Sequence, residues 1–160
     1  MAPRSRVVAV IGPGRDATAE ELASAEEAGA AIASAGAVLV CGGLGGVMEA
    51  ACRGARSEAG MTIGLLPGTD RDEANGWVVL ALPTGLGEGR NALIVRAADA
   101  VVAIGGGWGT LSEIALALRA GVPVLGVGTW ELGRDGVPVP GVRAMPDAAA
   151  AVAEALQTRH

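Results

Sequence analysis

The chain has 160 residues, 51% of them hydrophobic, with 26 glycines, no phenylalanine or tyrosine and a formal net charge of -5, which fits one domain with a core of Val, Leu, Ile and Ala. Its arginines are scattered and aromatics nearly absent, which argues against direct nucleic-acid binding because there is no basic run and no stacking surface. There is no lysine for a Schiff base, pyridoxal phosphate or a P-loop, and the single histidine is the last residue, His160, which removes histidine triads and most zinc sites.

The N-terminus, MAPRSRVVAVIG, leads without a signal-peptide cleavage pattern into a first buried strand over Arg6–Ile11. No apolar run is long enough to span a membrane, so a cytoplasmic protein is expected. Gly12-Pro-Gly-Arg-Asp-Ala17 matches the form of the dinucleotide fingerprint G-x-G-x-x-A. The second strand nevertheless ends in Cys41-Gly42-Gly43, where that fingerprint requires an acid for the ribose. Thr18-Ala-Glu-Glu21 has capping-box spacing and opens an alanine-rich helix to about Ala35, stopped by Gly36.

Ala37–Cys41 reads as the second strand, and Gly42-Gly43-Leu44-Gly45-Gly46 leads into a helix from Val47 to about Glu58, with Glu49 in its first turn. A first-turn carboxylate is favoured by the helix dipole whatever the function. Cys41 and Cys52 lack C-x-x-C spacing and are expected as buried, reduced thiols. Met61–Leu66 is the third strand. The polar loop Thr69–Gly76 reads either as a flap or as a surface excursion. Trp77–Leu82 is the fourth strand, and a glycine-rich turn delivers Arg90 and Asn91 to the start of a helix ending near Ala98. A cation at that positive helix end points to an anionic partner, the alternative being a salt bridge to Glu88 or Asp99.

Ala100–Gly121 then reads as strand, glycine loop and helix. Gly105, Gly106, Gly107 and Gly109 leave the backbone open to a ligand, and the helix entrance offers unpaired N–H groups to a phosphate. Thr110 is expected as the N-cap, and Thr110-Leu-Ser-Glu113 has capping-box spacing, which sets a capping role for Glu113 against a catalytic one. This stretch echoes AVLVCGGLGGVMEA, so two strand ends are expected to feed one crevice. Val122–Val127 is the fifth strand, Gly128–Gly141 a loop, and Pro146-Asp147 caps a last helix to about Gln157. Alternating strands and helices predict an α/β Rossmann-like three-layer domain over residues 1–160, with a mostly parallel sheet and helices on both faces.

Pro67-Gly-Thr69, Glu73-Ala-Asn75, Pro83-Thr-Gly85, Gly89-Arg-Asn91 and Gly105-Gly-Gly-Trp-Gly-Thr-Leu-Ser-Glu113 resemble a DprA-related Rossmann-like family within the SLOG/LOG superfamily. The chain is similar to molybdenum cofactor carrier proteins and, more distantly, to LOG-type phosphoribohydrolases, often mislabelled lysine decarboxylases. The LOG resemblance implies cleavage of a nucleoside 5′-monophosphate to base and ribose 5-phosphate, with Glu113 as catalytic carboxylate and Arg90 orienting the substrate. Gly105 stands where the LOG motif has proline and Asn91 where it has lysine. Both departures, and Glu49, resemble the carrier branch. That branch implies a non-catalytic protein holding a phosphate-bearing nucleotide or molybdenum cofactor, and it is the preferred reading. The implied binding residues are Gly12, Gly42, Gly43, Gly45, Gly46, Glu49, Thr84, Arg90, Asn91, Gly105, Gly106, Gly107, Gly109 and Thr110. No metal ligands and no cofactor for chemistry are implied. The resemblance further implies a homodimer or homotetramer.

Overall fold

A computed structural model describes residues 1–158, so the reading of His160 lies outside the described residues. Seven strands form one parallel sheet: β1 (Val7–Ile11), β2 (Val38–Cys41), β3 (Thr62–Leu66), β4 (Leu80–Pro83), β5 (Ala100–Ile104), β6 (Val124–Val127) and β9 (Val142–Ala144). Their order is β4-β3-β2-β1-β5-β6-β9. The chain builds outward from β1 through β4, then returns to β5 on the other side of β1, where Val10 pairs in register with Val102. The strand order therefore reverses between β1 and β5, and in an open α/β sheet the crevice beyond such a reversal is where ligands bind.

The central strands are apolar because both of their faces are covered, and alternate residues serve opposite cores. Val8, Val10, Leu39, Ala100, Val102 and Ile104 face one core, with α1 (Ala19–Ser34), α2 (Val47–Ser57) and α5 (Ala148–Gln157). Ala9, Ile11, Val101, Ala103 and Val124 face the other, with α3 (Asn91–Arg96) and α4 (Trp108–Arg119). The result is the expected three-layer Rossmann-like fold. No helix among the described residues is long and apolar enough to cross a membrane.

Most local readings hold. Thr18 and Glu21 form a reciprocal capping box on α1, Asp147 caps α5 through the Ala150 N–H, and Gly121 takes φ +75° just beyond α4. Three differ. β4 starts at Leu80 rather than Trp77, because Asn75 Oδ1 accepts the Trp77 N–H, and Thr62 Oγ1 donates to the Trp77 carbonyl while accepting the Val79 N–H. The loop after β6 holds a short antiparallel ribbon, β7 (Gly133–Arg134) and β8 (Val137–Pro138), turned by Asp135 and Gly136 at φ +52° and +75°. Asp-Gly is a hairpin signal that was there to be read. β9, a three-residue edge strand, was too short to read from its pattern.

Candidate functional site

A further difference lies at the site. Gly107, not Thr110, is the N-cap of α4: its carbonyl accepts the Leu111 N–H at 3.0 Å, so the helix begins at Trp108. Thr110 is the third helical residue and is buried. Glu113 consequently lies one turn too deep to reach back to a cap. The capping-box reading of Thr110 and Glu113 fails because extended Gly107, at φ -104° and ψ -159°, already provides the helix entrance.

This shift turns the first turn of α4 toward a cavity of about 290 Å³ at the sheet reversal. Gly12, Pro13, Gly14 and Asp16 border it from the loop after β1, Met48 from α2, Arg90 and Asn91 from the start of α3, and Gly107, Gly109, Thr110 and Glu113 from α4. The groups that enclose it are thus a helix N-terminus rich in free N–H donors, a guanidinium, an amide and two carboxylates.

Arg90 is 8% exposed, and among the described residues no carboxylate pairs with it. Asp99, one of its candidate partners, instead accepts the Val7 N–H at 2.8 Å and faces Arg6. The Arg90 guanidinium lies against Gly42, where an added Cβ would come within 2.8 Å of both Arg90 Nη2 and Met48 Sδ. A side chain at position 42 would have to displace one or both of these side-chain ends. Arg90 Nε and Asn91 Oδ1 are both buried with no hydrogen-bond partner in the protein. An unpaired buried polar atom costs about 1–3 kcal/mol, and here both belong to residues that border the cavity.

Burial raises the Glu113 carboxyl from its ordinary 4.5 to about 7, with the positive charge of Arg90 pulling the other way. Burial also lowers Arg90, while the charge of Glu113 opposes that fall. At neutral pH the Glu113 carboxyl is therefore close to half protonated. It can donate a hydrogen bond to an anion in one state and accept a proton in the other.

The other expected residues divide among three places. Gly46 and Glu49 border a neighbouring cavity of about 300 Å³ with Gly14, Arg15 and Arg53. Gly45 lies beside the Glu49 carboxylate. Gly105 and Gly106 border another cavity, on the far side of their loop, with Thr129 and Trp130. Gly105 sits at φ +58°, a dihedral proline cannot adopt, which accounts physically for the absent LOG-type proline. Gly43 packs on Gly64 and Leu66, and the Thr84 hydroxyl donates to the Leu66 carbonyl at 2.7 Å, so both stand behind the crevice as supports. The echo of the two glycine loops is real as local sequence, but only the second loop borders the 290 Å³ cavity directly.

Several contributors were missed. Pro13, Gly14 and Asp16 lie within the Gly12–Ala17 fingerprint, which was the available signal. Asn75 ties the Thr69–Gly76 loop to the first glycine loop: its side-chain amide donates to the Leu44 carbonyl at 2.9 Å and its N–H to the Gly43 carbonyl at 2.8 Å. The stacking surface absent from the composition also exists in miniature, since the Trp108 and Trp130 rings lie 5.4 Å apart at 32°. Cys41 and Cys52 are free and buried, Sγ to Sγ 3.5 Å, and the Cys41 thiol is lowered by hydrogen bonds from Cys52 and Gly43. Among the described residues no group of three His, Cys, Asp or Glu side chains could hold a metal ion.

Known proteins share this fold. A protein of Archaeoglobus fulgidus is 43% identical over 114 residues, which are 71% of this chain and 74% of that one. The molybdenum cofactor binding protein of Rippkaea orientalis superposes with a TM-score of 0.88 at 34% identity, covering 98% of this chain and 100% of that one. The molybdenum cofactor carrier protein of Chlamydomonas reinhardtii superposes with a TM-score of 0.85 at 35% identity, covering 96% and 98% of the two chains. The SLOG cluster4 family model matches residues 5–151, and the chain belongs to that family.

Proposed function

We propose that this protein binds a phosphate-bearing small molecule without transforming it, and that the ligand is a molybdenum-cofactor-type pterin. The observation that carries the reading is that Arg90 and Asn91, each with a buried unpartnered polar atom (Nε and Oδ1), border a cavity that also receives the N-terminus of α4. The N–H groups of Gly109 and Thr110 and the guanidinium of Arg90 would donate to the phosphate, while Asn91 Oδ1 would accept an N–H or O–H from the organic part. Glu113 in its protonated form adds a donor. Gly42 and its loop hold Arg90 in place, and Gly12 lets the ligand approach the end of β1. The likeness to the Rippkaea and Chlamydomonas proteins supports the pterin as ligand. Such a cargo would be held through its phosphate and ring, because neither Cys41 nor Cys52 borders the cavity.

One observation favours a second reading. A carboxyl held near 7 beside an arginine is what N-glycosidic hydrolysis of a nucleoside 5′-monophosphate needs, with Glu113 stabilising the oxocarbenium-like sugar and activating water. Native mass spectrometry of protein purified from cells that make the molybdenum cofactor, followed by incubation with nucleoside monophosphates, separates the two. A retained pterin-sized mass that is lost in Arg90→Met, with no base released, is expected. Steady release of base and ribose 5-phosphate would overturn the carrier reading.

The expected assembly into a homodimer or homotetramer also has a structural feature in its favour. β4 ends the sheet with Leu80 and Leu82 exposed, an apolar open edge that isolated proteins avoid. This edge is the proposed contact between copies.

A further inference from the structure

The chain spends its aromatic residues outside its core. With no phenylalanine or tyrosine, it has three tryptophans, and none of them is among the buried core residues. Two of the three, 22 positions apart in sequence, meet at the entrance of α4. Trp130, from the loop after β6, is anchored there, its indole N–H donating to the Gly107 carbonyl at 3.2 Å. Position 106 favours glycine here, because its φ of +142° is one that L side chains rarely adopt and an added Cβ would crowd Trp130 Nε1 at 3.1 Å. Trp130 in turn braces Trp108 at a ring separation of 5.4 Å. Trp108 remains 79% exposed, far more than a tryptophan used for packing. It immediately precedes Gly109 and Thr110, which border the cavity. A large ring thus meets Trp130 on one side, stands open over most of its surface, and lies one residue from the proposed phosphate donors.

We propose that Trp108, braced by Trp130, is the platform on which the flat heteroaromatic ring of the ligand stacks. This rests on the phosphate-binding reading and extends it, since an arrangement of N–H donors alone would not distinguish a ring-bearing phosphate from a sugar phosphate. An indole stacks on any planar π-system through its face, and losing one such contact weakens binding roughly tenfold or more. The brace matters because a tryptophan already ordered by Trp130 loses less side-chain freedom when a ring settles on it.

The test compares two probes on the full chain by calorimetric titration: guanosine 5′-monophosphate, which carries a ring, and ribose 5-phosphate, which does not. Trp108 is exposed, so Trp108→Leu leaves the core untouched. The wild type is expected to bind the nucleotide more tightly than the sugar phosphate. Trp108→Leu should weaken the nucleotide roughly tenfold and leave the sugar phosphate unchanged, with Trp108→Phe restoring most of the loss. Unchanged nucleotide binding in Trp108→Leu, equal loss for both probes, or no preference for the nucleotide in the wild type overturns the platform while the phosphate site stands. Failure of the wild type to bind either probe overturns both.

Discussion

Replacing Glu113 with glutamine tests the buried carboxyl directly, because glutamine keeps the shape and hydrogen-bonding reach but cannot ionise. The folded protein holds this carboxyl near 7 instead of 4.5, with burial as the dominant cause. Ionising it in place therefore costs about 3 kcal/mol more than in water, an upper value because one flank of the side chain meets solvent. Between these two pH values the folded chain keeps a proton that the unfolded chain releases. The contribution of this carboxyl to stability should fall as pH rises through that window and level off above it. Glu113→Gln removes the penalty. The two proteins should unfold alike at pH 4, whereas at pH 8 the variant should be more stable by up to about 3 kcal/mol, or about 6–12 °C in Tm for a chain of this size. Urea and thermal denaturation at both pH values measure this. A variant equally or less stable at pH 8, or a stability difference between the two proteins that does not grow from pH 4 to pH 8, would refute the argument. A gain in stability would also mean that the wild type retains Glu113 at a cost, as functional groups often are.

Two further substitutions probe the scaffold. An added methyl at Gly29 would overlap the Ala51 carbonyl and come within 2.9 Å of the Ala55 nitrogen, so Gly29→Ala should cost about 1–3 kcal/mol in urea denaturation despite the better helix propensity of alanine. A gain would show that α1 and α2 can separate. Leu82→Glu on the open edge of β4 should convert the proposed oligomer to monomers in light scattering, and an unchanged mass would remove that edge as the contact.

The layered α/β architecture was legible because its causes are local: β-branched apolar runs, alanine-rich amphipathic segments, and stop signals such as Gly36 and Gly121. Thr18-Ala-Glu-Glu21 and Thr110-Leu-Ser-Glu113 show the limit. The two tetrads have the same capping-box spacing, yet only the first caps a helix, because Gly107 had already begun the second three residues earlier. Capping is decided by backbone dihedrals at one residue, and spacing does not specify those.

The sequence by itself determined that glycine loops meet helix entrances, that Arg90 and Glu113 are the chemistry-bearing candidates, and that lysine chemistry is absent. Only the tertiary structure decided which of these meet. The return of the chain from β4 to β5 brings the loop after β1, the start of α3 and the start of α4 to one crevice, leaving most of the first glycine loop behind Arg90 as support. The same convergence buries Glu113 beside Arg90, moving its proton affinity to neutral pH, and joins two distant tryptophans. Desolvation and ring contact depend on which surfaces the fold brings together, and neither is written into the spacing of residues along the chain.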